Sequence, residues 1–155
     1  MKAGVELPAW RNVRTFGAPD PRLSLRVRPS AYALLADADG RIALARAPDG
    51  VYLPGGGIEA GETPKQAVAR EALEECGYRL RVGRCVQRAV QYALADTGQA
   101  CLQKRCRFYE AAIEGEDMGQ VHPGHETLWV APADVHRYLS HESQVWVVRA
   151  WCGPG

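Results

Sequence analysis

The sequence predicts a layered α/β fold with a mixed sheet, on three observations. Residues 63–77 form a helix whose two ends are both marked by residue chemistry. Apolar and alternating runs of strand type stand before and after it, and a second helical period follows near the end of the sequence. Strands with helices on both sides of them in sequence bury their apolar faces by stacking in layers. With 155 residues, 46% apolar and 24% charged, the chain is long enough for one domain that buries roughly two-thirds of its unfolded surface. No repeat, low-complexity tract or linker divides it, so residues 1–155 are read as a single domain. Residues 1–29 are set apart as an N-terminal extension or edge strand.

The first 29 residues are rich in Arg and Pro, with one weak alternating piece at Leu23-Ser24-Leu25-Arg26-Val27. Ala31 to Ala36 and Arg41 to Ala47 are two short apolar runs around the turn Asp37-Ala38-Asp39-Gly40, which predicts a hairpin. Pro48-Asp49-Gly50 supplies a further turn. Val51-Tyr52-Leu53 then runs into Pro54-Gly55-Gly56-Gly57, where the strand is expected to stop. Thr63-Pro64-Lys65-Gln66 combines a capping hydroxyl, a proline at the first helical position and a glutamine placed to complete a capping box. The helix is expected to continue through Cys76 and to end at Gly77, the residue suited to a left-handed cap. Leu80 to Leu94 and Cys101 to Ile113 read as long strands joined around Asp96-Thr97-Gly98. Glu114 to Gly124 reads as a polar loop and Leu128-Trp129-Val130 as a short strand. Ala133 to Leu139 and Glu142 to Trp151 read as helices, the second with Val145, Val148 and Trp151 at core spacing.

Bulk properties exclude several classes of function. A formal net charge of +1 is not the footprint of a protein that tracks a nucleic-acid backbone. The clusters Arg11, Arg14, Arg22, Arg26, Arg28 and Arg79, Arg81, Arg84, Arg88 are read first as solvated surface, since charge runs usually face water, with a phosphate-binding patch kept as the alternative. Cys76, Cys85, Cys101, Cys106 and Cys152 contain no C-x-x-C pair and follow no secretory leader, which predicts a reduced, cytoplasmic protein. Cys101 and Cys106 fall on opposite faces of a strand and are expected to be buried apolar groups rather than zinc ligands. No apolar run reaches the roughly 18 residues of a membrane span.

The chemistry lies in the helix. At about 100 degrees per residue, Glu71, Glu74 and Glu75 share one face, and Val68, Ala69, Ala72, Leu73 and Cys76 share the other. Carboxylates roughly 5 Å apart at an effective dielectric near 20 repel by about 3 kcal/mol per pair, much less if fully wet. A solvated acidic face would tolerate this, and a divalent cation would remove it. The glycine run immediately before the helix tips the balance toward the cation, because it lets a polyphosphate approach the backbone beside the acids. Oxygen donors next to phosphate are the setting of Mg²⁺ or Mn²⁺.

Gly56, five residues, Glu62, seven residues, and then Arg70-Glu71-Ala72-Leu73-Glu74-Glu75-Cys76-Gly77-Tyr78 together resemble the signature of the Nudix hydrolase (MutT-like) family. Ala72 and Tyr78 depart from its usual aliphatic residues at packing positions only. The resemblance implies an α/β/α sandwich with a mixed central sheet. It also implies Mg²⁺- or Mn²⁺-dependent hydrolysis of a nucleoside diphosphate linked to another moiety, as in a nucleoside triphosphate, a nucleotide sugar or a dinucleotide, with the first two as the default. By this resemblance Glu74 and Glu75 are the main metal ligands, and Glu71 is a ligand or the general base. The Gly55 or Gly56 carbonyl is a further ligand, and Arg70 orients the acids by pairing with Glu62 or Glu71. Arg46, Tyr52, Gly55, Gly56 and Gly57 are assigned to substrate binding.

Outside the signature, Glu126 is the candidate for one more metal ligand or base from the loop before the last short strand, with Glu116 and Asp117 behind it. His122 and His125 are neighbours read as exposed loop residues. Trp10, Tyr32, Tyr52 and Tyr92 are aromatic candidates for stacking, with packing the commoner role. A proline that marks ADP-ribose hydrolases would fall near Ala93 and is absent, and Tyr92 lies off the position that marks diadenosine polyphosphate hydrolases. The expected partner is a small nucleotide substrate, with neither membrane nor bulk nucleic acid, and the resemblance leaves a homodimer open. Two other readings stand beside hydrolysis of small nucleotides: a nucleotide sensor without catalysis, and trimming of RNA 5′ ends.

Overall fold

The computed structural model describes Trp10 and residues 12–153. Arg11, residues 1–9 and residues 154–155 lie outside the described residues, and with them part of the expectation for the N-terminal extension. In chain order the elements are β1 (Thr15–Phe16), β2 (Ser24–Leu34), β3 (Ile42–Ala47), β4 (Gly50–Tyr52), β5 (Gly55–Gly57), α1 (Pro64–Cys76), β6 (Tyr78–Leu94), β7 (Ala100–Glu116), β8 (Glu126–Val130) and α2 (Glu142–Cys152). Short 3₁₀ turns cover Met118–Gln120 and Pro132–Arg137.

Five strands form one sheet in the order β1-β6-β7-β2-β5, and three form a second, β4-β3-β8. The larger sheet is mixed: β2–β7 and β1–β6 run parallel, while β6–β7 and β2–β5 run antiparallel. The expected mixed α/β architecture therefore stands. Alternation along the end of β2 divides the core. Tyr32 and Leu34 pack with Phe108, Val147 and Val148 on the α2 side, and Ala31 and Ala33 pack with Ala67 and Val68 on the α1 side. Two buried side-chain bonds fasten α2. The Leu53 N–H donates to Gln144 Oε1 at 2.7 Å, and the Ser143 N–H donates to Gln91 Oε1 at 3.1 Å.

Several expectations need correction. The weak piece at Leu23–Val27 is the outer part of an 11-residue strand whose inner part is the apolar run. Over its exposed first half it has β7 as its only strand partner among the described residues, so it is an edge there. The Asp37–Gly40 turn forms, with Asp37 and Arg41 joined at 2.9 Å, but its two arms enter different sheets instead of pairing as a hairpin. A single bridge, Ala36 to Ile42, links them, because each run is buried on both faces and finds more partners apart. Gly55–Gly57 does not end a strand; it is one, paired to Ser30–Tyr32. Gly55 has φ +146, and a β-carbon there would collide with the Ala31 carbonyl oxygen and come within 2.6 Å of Tyr32 Cα, so only glycine permits this close pairing. The expected helix at Ala133–Leu139 is the 3₁₀ turn over Pro132–Arg137. In α2, Val147 and Val148 are the buried valines, while Val145 and Trp151 pack at the margin.

Candidate active site

The local chemistry that starts α1 also aims it. Thr63 and Gln66 exchange bonds of 2.9 and 3.1 Å as a full capping box, Pro64 sits at the first position, and Gly77 closes the helix at φ 73. Ala67, Val68, Ala72 and Cys76 are buried, whereas Ala69 and Leu73 are only half-buried. The buried stripe is rotated from the expected one, and it takes Glu75 in with it. Glu75 is 8% exposed.

Glu75 therefore differs from its two companions. Its Oε1 accepts the Gly55 N–H at 2.8 Å, so the glycine strand holds it by an amide as well as standing beside it. Burial pushes its carboxyl up to about 8, the Gly55 bond pulls down, and Glu71 and Glu74 push up again. Glu71, half-buried, is raised first by burial and lowered in part by Arg70. Both shifts mark carboxylates whose charge the protein alone does not fully compensate.

Arg70 braces the acidic face. Its Nε and Nη2 donate to the two oxygens of Glu62 at 2.7 and 3.0 Å, a bidentate pair. Its Nη1 reaches Glu71 at 2.9 Å and Glu74 at 3.4 Å, and Nη2 also donates to the Gly57 carbonyl at 3.2 Å. The Arg70 bonds, with the Glu59 N–H, hold the Glu62 carboxyl down to about 2. The sequence left Glu62 and Glu71 as alternative partners of Arg70, and the structure uses both.

A cleft of about 570 Å³ opens beside this face, lined among others by Gly55, Gly56, Gly57, Glu71, Glu75 and Tyr52. Of the assigned site residues, Glu62, Arg70 and Glu74 lie outside its lining, and so do Arg46 and Glu126. The last two face each other across β3 and β8 and form an exposed pair at 3.2 Å. Strand pairing turns Glu126 toward Arg46, and the residue before it, His125, lines the cleft instead, with its Nδ1 buried and without a hydrogen-bond partner among the described residues. Glu116 lies at the end of β7 and Asp117 pairs with Arg79 at 3.0 Å. Tyr32 is core, Trp10 is buried beside the Arg88 and Arg107 guanidinia, and Tyr92 accepts a bond from Gln103 at 2.9 Å. Sequence reasoning put solvated surface ahead of a phosphate-binding patch for the cluster that holds Arg26 and Arg28, and both line the cleft. It did not single out Lys104, Asp49, Asp96 or His141, all of which line the cleft.

Among the described residues no three acid, histidine or cysteine side chains are drawn together tightly enough to cage an ion as they stand. Arg70 spans Glu71 and Glu74 instead. The donor chemistry nonetheless fits a hard dication: the acids supply only oxygen, and two of them sit where burial and mutual repulsion disfavour their charge. Cys101 and Cys106 are each buried within β7, as expected of packing residues.

The family model for the NUDIX domain matches residues 26–152, and the chain belongs to the Nudix family. It is 46% identical over 55 residues to a MutT-like protein of Streptomyces ambofaciens, covering 34% of this chain and 36% of that protein. It is 44% identical over 52 residues to an RNA pyrophosphohydrolase of Halorhodospira halophila, covering 32% of this chain and 29% of that protein. The chain thus spans about a third of the length of the curated relatives it matches. A solved NUDIX hydrolase from Nitrosomonas europaea has a TM-score of 0.67 at 15% identity, covering 82% of this chain and 89% of that one. That likeness is one of fold. Among the described residues no helix is long and apolar enough to cross a membrane.

Proposed function

We propose that the protein hydrolyses the pyrophosphate bond of a nucleoside diphosphate joined to a further group, with Mg²⁺ or Mn²⁺ as the required ion. The observation that carries this reading is Glu75: a buried carboxylate, tied to the Gly55 amide, set with Glu71 on the wall of an open cleft. A charge placed there without a counter-ion is unfavourable, so the position is explained by a ligand that supplies positive charge. Glu75, Glu71 and Glu74 would hold the ion, with a glycine carbonyl of the β5 edge as a further donor. When bound, such an ion neutralises phosphate oxygens and lowers the pKa of water. Arg70 keeps Glu71 and Glu74 at fixed spacing, Glu62 fixes Arg70, and the Gly55 amide holds Glu75. The glycines keep the backbone low enough for a phosphate chain to lie against it. Five free thiols agree with a reducing compartment, and we assign the protein to the cytoplasm.

The test is turnover of a panel of nucleoside triphosphates, nucleotide sugars, dinucleotides and 5′-triphosphorylated RNA with Mg²⁺ or Mn²⁺. Metal-dependent cleavage that disappears in Glu75→Gln is expected. Undiminished cleavage by Glu75→Gln, or metal-independent binding with no cleavage, would overturn the proposal.

A further inference from the structure

The wall of the cleft opposite α1 carries cations for which the proposed reaction has given no use. β2 and β7 run parallel with Arg28 directly paired to Lys104, so their side chains stand on one face of the sheet, on neighbouring strands about 5 Å apart. Both line the cleft, and Arg26, two residues away on the same face, lines it too. The Arg28 guanidinium lies against the glycine strand: a β-carbon on Gly57 would come within 2.6 Å of its Nη2 and 2.8 Å of its Nε. Lys104 is half-buried, with its ammonium 6.0 Å from the Tyr52 ring centre. Among the described residues neither Arg28 nor Lys104 has a carboxylate within ion-pair distance. Burial lowers the Lys104 pKa and the charge of Arg28 acts in the same direction, against Cys106, Asp49 and Asp96, which raise it in part. Two neighbouring cations, one of them half-desolvated, line the same cleft as Glu71 and Glu75, with no acid among the described residues in ion-pair contact, and their natural complement is a compact dianion.

We propose that Arg28 and Lys104 clamp a free phosphate, and that the substrate is therefore a nucleotide ending in an unesterified phosphate, such as a nucleoside triphosphate. This rests on the hydrolase reading above. A neutral sugar in that place would leave both cations facing an uncharged group in a partly dried cleft, which is a penalty as well as a missed contact. In the reaction, water oxygen forms one bond to the α-phosphorus and the α–β bridging bond breaks. The products are a nucleoside monophosphate and pyrophosphate, and a proton passes to solvent. The clamp holds the pyrophosphate side.

Two measurements test the clamp separately from the chemistry. The first is calorimetric binding of inorganic tripolyphosphate in EDTA, where only the cations are probed. Lys104→Met and Arg28→Gln should each weaken it by about tenfold or more, the usual worth of a charge-assisted bond, while Lys104→Arg keeps most of it. Lys104→Met should also melt higher than the parent, because it keeps the stem and removes a half-buried charge, so the loss cannot be blamed on misfolding. The second is steady-state kinetics with metal. Both variants should raise KM for a nucleoside triphosphate by about tenfold and change that for a matched nucleotide sugar by less than about twofold. Unchanged tripolyphosphate binding, or equal losses on the two substrates, would overturn the clamp. Cleavage of nucleotide sugars but not triphosphates would overturn it and leave the hydrolase reading standing. Cation-dependent tripolyphosphate binding in a protein that cleaves no nucleotide would do the reverse.

Discussion

The two walls of the cleft are built by opposite means. The acidic wall is one continuous piece of chain, from Gly55 to Glu75, whose parts fold by local rules: an edge of glycines, a capped helix start, and acids at helical spacing. The basic wall is assembled from separate strands, with Arg26 and Arg28 from β2, Lys104 from β7 and Ala93 to Thr97 at the end of β6 and the turn after it. The glycine strand is the partition between them. Glu71 lies over Gly56, where a β-carbon would come within 3.1 Å of its carboxyl, and Arg28 lies over Gly57 on the next residue. Successive strand residues face opposite ways, so two bare glycines let an acid and a base close on one thin edge from either side. On the proposed function the continuous wall would hold the ion that acts on the bond, and on the proposed clamp the assembled wall would select what is attached to it.

The largest expected effect separates the two walls outright. Glu75→Gln should lower kcat by about a thousandfold, the several kcal/mol of charge stabilisation that a bound metal supplies, while tripolyphosphate binding in EDTA is retained. Loss of both together would mean that the walls are not independent. The next effect is on stability. Burial raises Glu75 to about 8 from an ordinary 4.5, so the fold favours its protonated form. In metal-free protein its contribution is therefore complete below about pH 4.5 and lost as pH rises through about 8. Urea midpoints between those limits should fall with rising pH, and Glu75→Gln should flatten that fall. A slope unchanged by the substitution would place the titration elsewhere.

Gly55→Ala attacks the partition and so both walls. With a strained φ and a β-carbon driven into Ala31 and Tyr32, it should cost about 3 kcal/mol in chemical denaturation. Thr63→Ala removes half of the capping box at the start of α1 and touches the acidic wall alone. It should cost about 1 kcal/mol by the same measurement and leave KM for the substrate unchanged. A shift in KM would show that the helix start also positions the basic wall.

The acidic wall was legible because its signals lie within a turn or two of the residues they govern. Thr63, Pro64, Gln66 and Gly77 are each readable from their immediate neighbours. The long antiparallel pair β6–β7 was legible for a similar reason, since one short turn joins its strands, although the register shifts further along, between Arg79 and Gln87, were not. Arg28 was not. Its neighbours in sequence are Val27 and Pro29, and nothing local distinguishes it from the arginines that face water. Its role appears only when the parallel pairing of β2 with β7 sets it beside Lys104. Glu126 failed for a related reason: its identity as an acid near a short strand was visible, but the pairing of β8 with β3 turns it to Arg46.

Sequence by itself determined the acidic helix, its caps, the glycine approach and hence the family and its class of chemistry, because those depend on contacts between near neighbours in the chain. Tertiary structure alone decided that Glu75 is buried while Glu74 is not, that three glycines act as a strand, and that a cationic pair stands on the other side of that strand from Glu71. Each of these depends on which strand lies beside which, and strand pairing brings together residues as far apart as Arg28 and Lys104, whose relation no local pattern encodes.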